Sequence, residues 1–155
     1  MRFVPDSSLL LRLYLRDHNT ESVERYLAED AKVLTLSELA RIEVLNTLLR
    51  QEGRADQFLK DVQEGSKLRL EHIDWAEAFQ QSESLARRFS QALHPGGHDL
   101  VLVASAVVMG ATWFLSFDRN SRQRPLAAAA GLRVWPPPEK DERGLVKHAT
   151  RLGGA

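Results

Sequence analysis

Residues 98–124, HDLVLVASAVVMGATWFLSFDRNSRQR, set the most apolar run of the chain between two carboxylates. Asp99 stands immediately before Leu100 to Met109, nearly all of them apolar or small. That composition predicts a helix buried on all sides and ended by Gly110. Ala111 to Phe117 reads as a buried strand that delivers Asp118 at its far end. A buried helix feeding a short apolar strand belongs in the middle of a layered α/β domain, where both faces of the sheet are covered.

Working outward, strand and helix patterns alternate. Arg2 to Val4 predicts a first strand, and Leu9 to Leu15 an apolar helix beginning near Ser7. Thr20, as N-cap, opens an amphipathic helix to Glu29. Lys32 to Leu36 is the second strand, and Ser37 caps a helix to about Arg50. Leu39, Ile42, Leu45 and Leu49 are read as the core stripe of that helix. Ala55 to Val62 is a short helix and Leu68 to Leu70 the third strand. Asp74 caps the longest helix, which the His94-Pro95-Gly96-Gly97 break ends. Downstream, Arg119 to Ala130 leads to Gly131 as a C-cap and to Leu132–Val134 as the fifth strand. Pro136 to Pro138 closes the domain, leaving residues 1–135 folded and residues 136–155 as a polar tail, either mobile or a point of attachment. Strands separated by helices imply parallel pairing with right-handed crossovers. The expected fold is a three-layer α/β/α sandwich on a mostly parallel five-stranded sheet.

Composition narrows the function classes. The 155 residues are enough for one domain with a core of its own, and 43% hydrophobic with 27% charged residues is ordinary for a soluble protein. With no cysteine there are no disulfides or thiolate metal sites, and a reducing cytoplasm is the expected location. No run approaches a membrane span, and MRFVPD does not begin a signal peptide. Lys plus Arg and Asp plus Glu both number 21, so any nucleic-acid partner needs a local basic patch. Neither a dinucleotide fingerprint nor a P-loop occurs, and Ser8 stands where a haloacid-dehalogenase-like phosphatase has its second Asp.

The carboxylates carry the chemistry. In parallel sheets the working site gathers at the carboxyl ends of the strands, near the switch in strand order. Asp6 follows the first strand, Asp118 ends the fourth, and Asp99 opens the helix between. Glu43 lies on the helix after the second strand, with Ala40, Asn46 and Thr47 as small or polar neighbours. Brought together in a partly dry pocket, such acids repel and raise one another's pKa values. Magnesium or manganese, held by oxygen ligands, removes that repulsion. Ser8 and Ser116 are placed to hold a ligand by hydrogen bonds. Each acid also has a bland reading: Asp6, Asp99 and Asp118 as helix caps, Glu43 as a solvated helix-face residue.

VPDSSLLLRLY, LSELARIEVLNTL, HDLVLVASAVVMGATWFLSFDRN and LAAAAGLRV together resemble the PIN-domain proteins of the VapC-like type II toxin–antitoxin kind, over roughly Arg2 to Trp135. Asp6-Ser7-Ser8, Glu43, Asp99 and Ser116-Phe117-Asp118 fall in the family's order. The resemblance implies a PIN-like fold and a magnesium- or manganese-dependent endoribonuclease. Asp6, Glu43, Asp99 and Asp118 are then its catalytic and metal-binding residues, Ser8 and Ser116 support them, and a metal-activated water hydrolyses RNA. It also implies a growth-arresting toxin that is a homodimer and is silenced by an antitoxin protein. Two departures stand out: Pro5 in the expected central strand, and His98 where relatives often carry arginine. Arg119, Arg122 and Arg124 are the expected RNA-binding rim, whereas Trp113 and Trp135 are read as core and His98 as structural or solvent-facing. The rival reading is a catalytically silent PIN-like module that binds RNA or a partner.

Overall fold

The computed structural model describes residues 1–51 and 53–153. Strands β1 (Phe3–Pro5), β2 (Leu34–Leu36), β3 (Leu68–Leu70), β4 (Trp113–Leu115) and β5 (Arg133–Trp135) form one parallel sheet in the order β3-β2-β1-β4-β5. Helices α1 (Ser7–Tyr14), α2 (Thr20–Ala28), α3 (Glu38–Arg50) and α4 (Ala55–Glu64) belong to the first half of the chain. Helices α5 (Trp75–Leu93), α6 (Gly97–Val108), α7 (Gln123–Ala129) and α8 (Lys140–Gly153) belong to the second.

Side chains alternate across the strands and so divide the interior into two cores. Leu34, Leu36, Leu68 and Leu115 join Leu9, Leu10, Val44, Leu48 and Phe58 from α1, α3 and α4. Val4, Phe114 and Val134 join Leu85, Phe89, Val103, Ala106 and Leu126 from α5, α6 and α7. Helices therefore cover both faces, and the expected three-layer sandwich is the fold. From Asp99 to Met109 no side chain of α6 or its C-cap is exposed, as the apolar run requires. Pro5 ends β1 opposite Leu115, and the ladder passes to the next residue, whose N–H (Asp6) donates to the Leu115 carbonyl at 2.9 Å.

Four local expectations change. Thr20 is the first residue of α2 rather than its cap, because its Oγ1 is taken up by the Asp17 N–H and the Arg12 carbonyl. Helix α7 is shorter than the 119–130 segment, since Asp118 organises a turn ahead of it. On α3 the buried stripe is Ala40, Val44 and Leu48, while Ile42 and Leu49 are exposed. Leu45 is half-buried and packs against the first core, so only Ile42 and Leu49 of the expected stripe are left outside. Finally, the 136–155 segment read as a tail contains α8, which packs on α5 and α7 and buries Glu142 and Ala149. A Cβ on Gly153 would overlap the Arg88 carbonyl of α5, so the crossing is close.

Candidate active site

The strand order reverses between β1 and β4, so their carboxyl ends border the crevice where parallel sheets place their chemistry. Asp6 and Ser116 are the residues just past those ends, side by side by register. Asp6 is 2% exposed and is the N-cap of α1: Oδ1 accepts from the Leu9 N–H at 3.1 Å. Ser8 Oγ donates to Oδ1 at 2.6 Å and Ser116 Oγ to Oδ2 at 2.5 Å. The two hydroxyls also accept in turn, Ser8 from the Phe117 N–H at 3.1 Å and Ser116 from the Asp118 N–H at 3.0 Å. Both serines thus brace the end of β1 against the turn after β4, with the Asp6 carboxylate at the centre of the brace. Of the roughly four lone-pair directions of that carboxylate, three are used and one remains.

Burial pushes the Asp6 carboxyl up from 3.8 to about 6; the serine and backbone hydrogen bonds pull the other way, and the charge of Asp118 adds to the rise. Among the described residues no cationic side chain bonds the Asp6 carboxylate, whose partners are two hydroxyls and one backbone N–H. Asp118 spends Oδ1 on the N–H groups of Asn120 and Ser121, at 2.9 and 3.1 Å, which shapes the turn leading to α7. Asp99, 8% exposed, sits in the first turn of α6, where Oδ2 accepts from the Gly96 N–H at 2.9 Å and the Arg122 N–H at 3.5 Å. Its capping role and its place beside the Asp118 loop are therefore held together. Glu43, on the second turn of α3, takes His98 Nε2 on Oε2 at 3.1 Å. Glu43 Oε1 is buried and has no hydrogen-bond partner among the described residues. A buried acceptor left unmatched costs about 1–3 kcal/mol, which a cation would relieve.

The predicted acids are tied pairwise along one edge of the sheet: Asp6 to Asp118 through Ser116, Asp99 to the same loop through Arg122, and Glu43 to the turn that carries Asp99 through His98. As the side chains lie, no group of three or more acids or histidines among the described residues could hold a metal ion. The donor chemistry nonetheless fits a hard cation: carboxylate oxygens, an orphaned Glu43 oxygen and a charge that raises a neighbour's pKa.

The basic rim is corrected in part. Arg124 is 1% exposed and cannot meet RNA: Nε and Nη2 donate to Glu142, Nη1 to the Ser116 carbonyl at 2.5 Å, and Nη2 also to Pro136. Its guanidinium is consumed in fastening α8 to the end of β4. Arg119 is exposed yet pairs with Glu142 at 2.6 Å and Glu139 at 3.4 Å. Arg122 is exposed and belongs to no ion pair found among the described residues. Trp135 stacks on Tyr26 at 4.0 Å between ring centres, in agreement with its reading as core. Two residues of the site had escaped sequence reasoning, Glu142 and the role of His98. No sequence signal tied Glu142 to Arg124, and His98 was legible only as a neighbour of Asp99.

The pattern of the PIN domain family matches residues 3–150. The fold is similar to that of VapC20 of Mycobacterium tuberculosis, described as a sarcin–ricin-loop-cleaving toxin. That likeness has TM-score 0.62 and 22% identity, and covers 84% of this chain and 95% of the other. It is also similar to VapBC2 of Rickettsia felis bound to a promoter DNA fragment, at TM-score 0.62, 15% identity and coverage of 86% and 97%. A toxin–antitoxin complex from Klebsiella pneumoniae follows at TM-score 0.58, 15% identity and coverage of 88% and 98%. No curated protein matches the sequence.

Proposed function

Since the chain belongs to the PIN domain family, we propose that it is a divalent-metal-dependent endoribonuclease, the toxin of a type II toxin–antitoxin pair. The observation that carries this reading is the brace at the switch point, where Ser8 and Ser116 hold a buried Asp6 whose pKa is raised to about 6 beside Asp118. Asp6 and Asp118 belong to no ion pair among the described residues, and acids so placed suit magnesium or manganese. Asp6, Asp99, Asp118 and Glu43 would hold the ion. When bound, it would supply charge to the scissile phosphodiester and make an attacking water more acidic. The chain's own part is positional. Ser8 and Ser116 fix Asp6, the Arg122 N–H fixes Asp99, and the turn from Asp118 to Ser121 sets the rim. Arg122, exposed beside that rim, is the side chain best placed to meet an RNA phosphate, with Arg119 second because Glu142 competes for it.

The partners that go with this reading are RNA, an antitoxin protein and a second copy of the chain, in the cytoplasm. Toxin–antitoxin complexes among the similar folds support the antitoxin. No helix among the described residues is long and apolar enough to cross a membrane. A second reading is favoured by one observation, the lack of any chelating group of three as the side chains lie: a silent PIN-like module that binds RNA or a partner without cutting. Incubating a total RNA pool with the purified chain and magnesium or manganese separates the two. Cleavage that disappears with EDTA and falls by about 100-fold or more in Asp99→Asn is expected. RNA binding without divalent-dependent cleavage would favour the silent module.

A further inference from the structure

The Glu43 carboxylate is held in an unusual half-satisfied state. Its Oε2 meets His98 Nε2 at 3.1 Å, with the histidine side chain 53% and the glutamate side chain 26% exposed. Its Oε1 is buried and has no hydrogen-bond partner among the described residues. His98 lies in the first turn of α6 and Glu43 in the second turn of α3, so this contact joins the two halves of the acidic edge. Asp99 follows His98 directly and its own carboxylate is fixed on Gly96. The imidazole therefore stands on the outside of the edge, next to one acid and bonded to another. An outer group that pins one oxygen of a carboxylate leaves the other free in a defined direction, which is how supporting partners orient metal ligands.

We propose that His98 is the positioning residue for Glu43, fixing Oε2 so that Oε1 serves as an oxygen ligand to the divalent cation. This rests on the metal-dependent reading above, and it adds a role that the acids alone do not contain. The contact is too exposed to matter much for folding, because a half-exposed pair contributes little to stability. Its effect falls on the ordering of the ligand instead.

Manganese binding to the whole, metal-free chain tests this without reference to RNA cleavage, by the paramagnetic resonance signal of free manganese. His98→Ala is expected to weaken manganese binding about tenfold, with the melting temperature of the metal-free chain unchanged. His98→Gln, which offers a side-chain N–H to Oε2, is expected to recover most of that loss. Glu43→Gln weakens binding by itself, and adding His98→Ala to it produces no further loss. Equal affinity in His98→Ala and the natural chain overturns the positioning role while leaving the metal site standing. No manganese binding by the natural chain overturns both readings at once, so the two failures are distinct.

Discussion

At Asp6, capping and chemistry are one arrangement. The residue caps α1 and also sits at the switch point, so its cap leaves the proposed ligand role open to it. Its raised pKa has a consequence for stability. An unfolded aspartate loses its proton near 3.8, whereas Asp6 in the fold keeps it to about 6. Between those values the folded chain binds more protons, so stability falls as pH rises through the window and stays lower above it. The loss is on the order of 3 kcal/mol for a buried carboxyl without its cation. Asp6→Asn should therefore melt higher than the natural chain at pH 8 in EDTA, and the gap should shrink or reverse at pH 4. A gap that does not change with pH would mean that Asp6 is not buried in its charged form. Asp6 and Asp118 were legible because each ends an apolar run that had to be a strand, and Asp99 because it opens the run that had to be a buried helix. Arg124 was misread for the opposite reason: one more arginine after Asp118 looks like rim until its partner, far along the chain, is known.

At the scale of elements, the same pairing explains why α8 was missed. Pro136 to Pro138 looked like an end, and the residues beyond are polar enough to pass for a tail. Yet Leu145, Val146 and Ala149 recur at helical spacing and pack on the second core, and Glu142 lies one turn earlier on that inner side. The weak apolar signal is supplemented by charge. Glu142 holds Arg124, and Arg124 holds the Ser116 carbonyl, so the last helix reaches the Asp6 brace by three links. Without Arg124, Glu142 still keeps Arg119, but the Ser116 carbonyl loses its guanidinium donor, and a buried acceptor left unmatched costs about 1–3 kcal/mol. Arg124→Ala should lower the urea midpoint by that equivalent, whereas Arg124 acting only on RNA would leave the midpoint in place. The α3 misassignment has a different origin. That helix is apolar on two sides, and periodicity cannot say which side the sheet takes.

For the whole molecule, the layered fold followed from alternation alone, but strand order did not, because three-residue strands rich in Leu and Val carry no code for their neighbours. What the assembled chain leaves exposed is more informative. Ile42 and Leu49 are 56% and 64% exposed, two helical turns apart on α3, with Leu39 and Leu45 half-buried beside them. A stripe repeated over two turns is self-complementary about a twofold axis, the commonest way for like chains to pair. Net charge is zero, so the chain as a whole does not repel its copy. Under the proposed homodimer, this stripe is the contact we propose. Ile42→Glu with Leu49→Glu should turn a dimer into a monomer in sedimentation equilibrium and raise the dimer dissociation constant by about 100-fold or more, since two charges would be buried without partners. Because the α3 core face is Ala40, Val44 and Leu48, the far-ultraviolet circular dichroism and melting of the separated monomer should remain those of a folded chain. A double variant that stays dimeric would move the interface off α3.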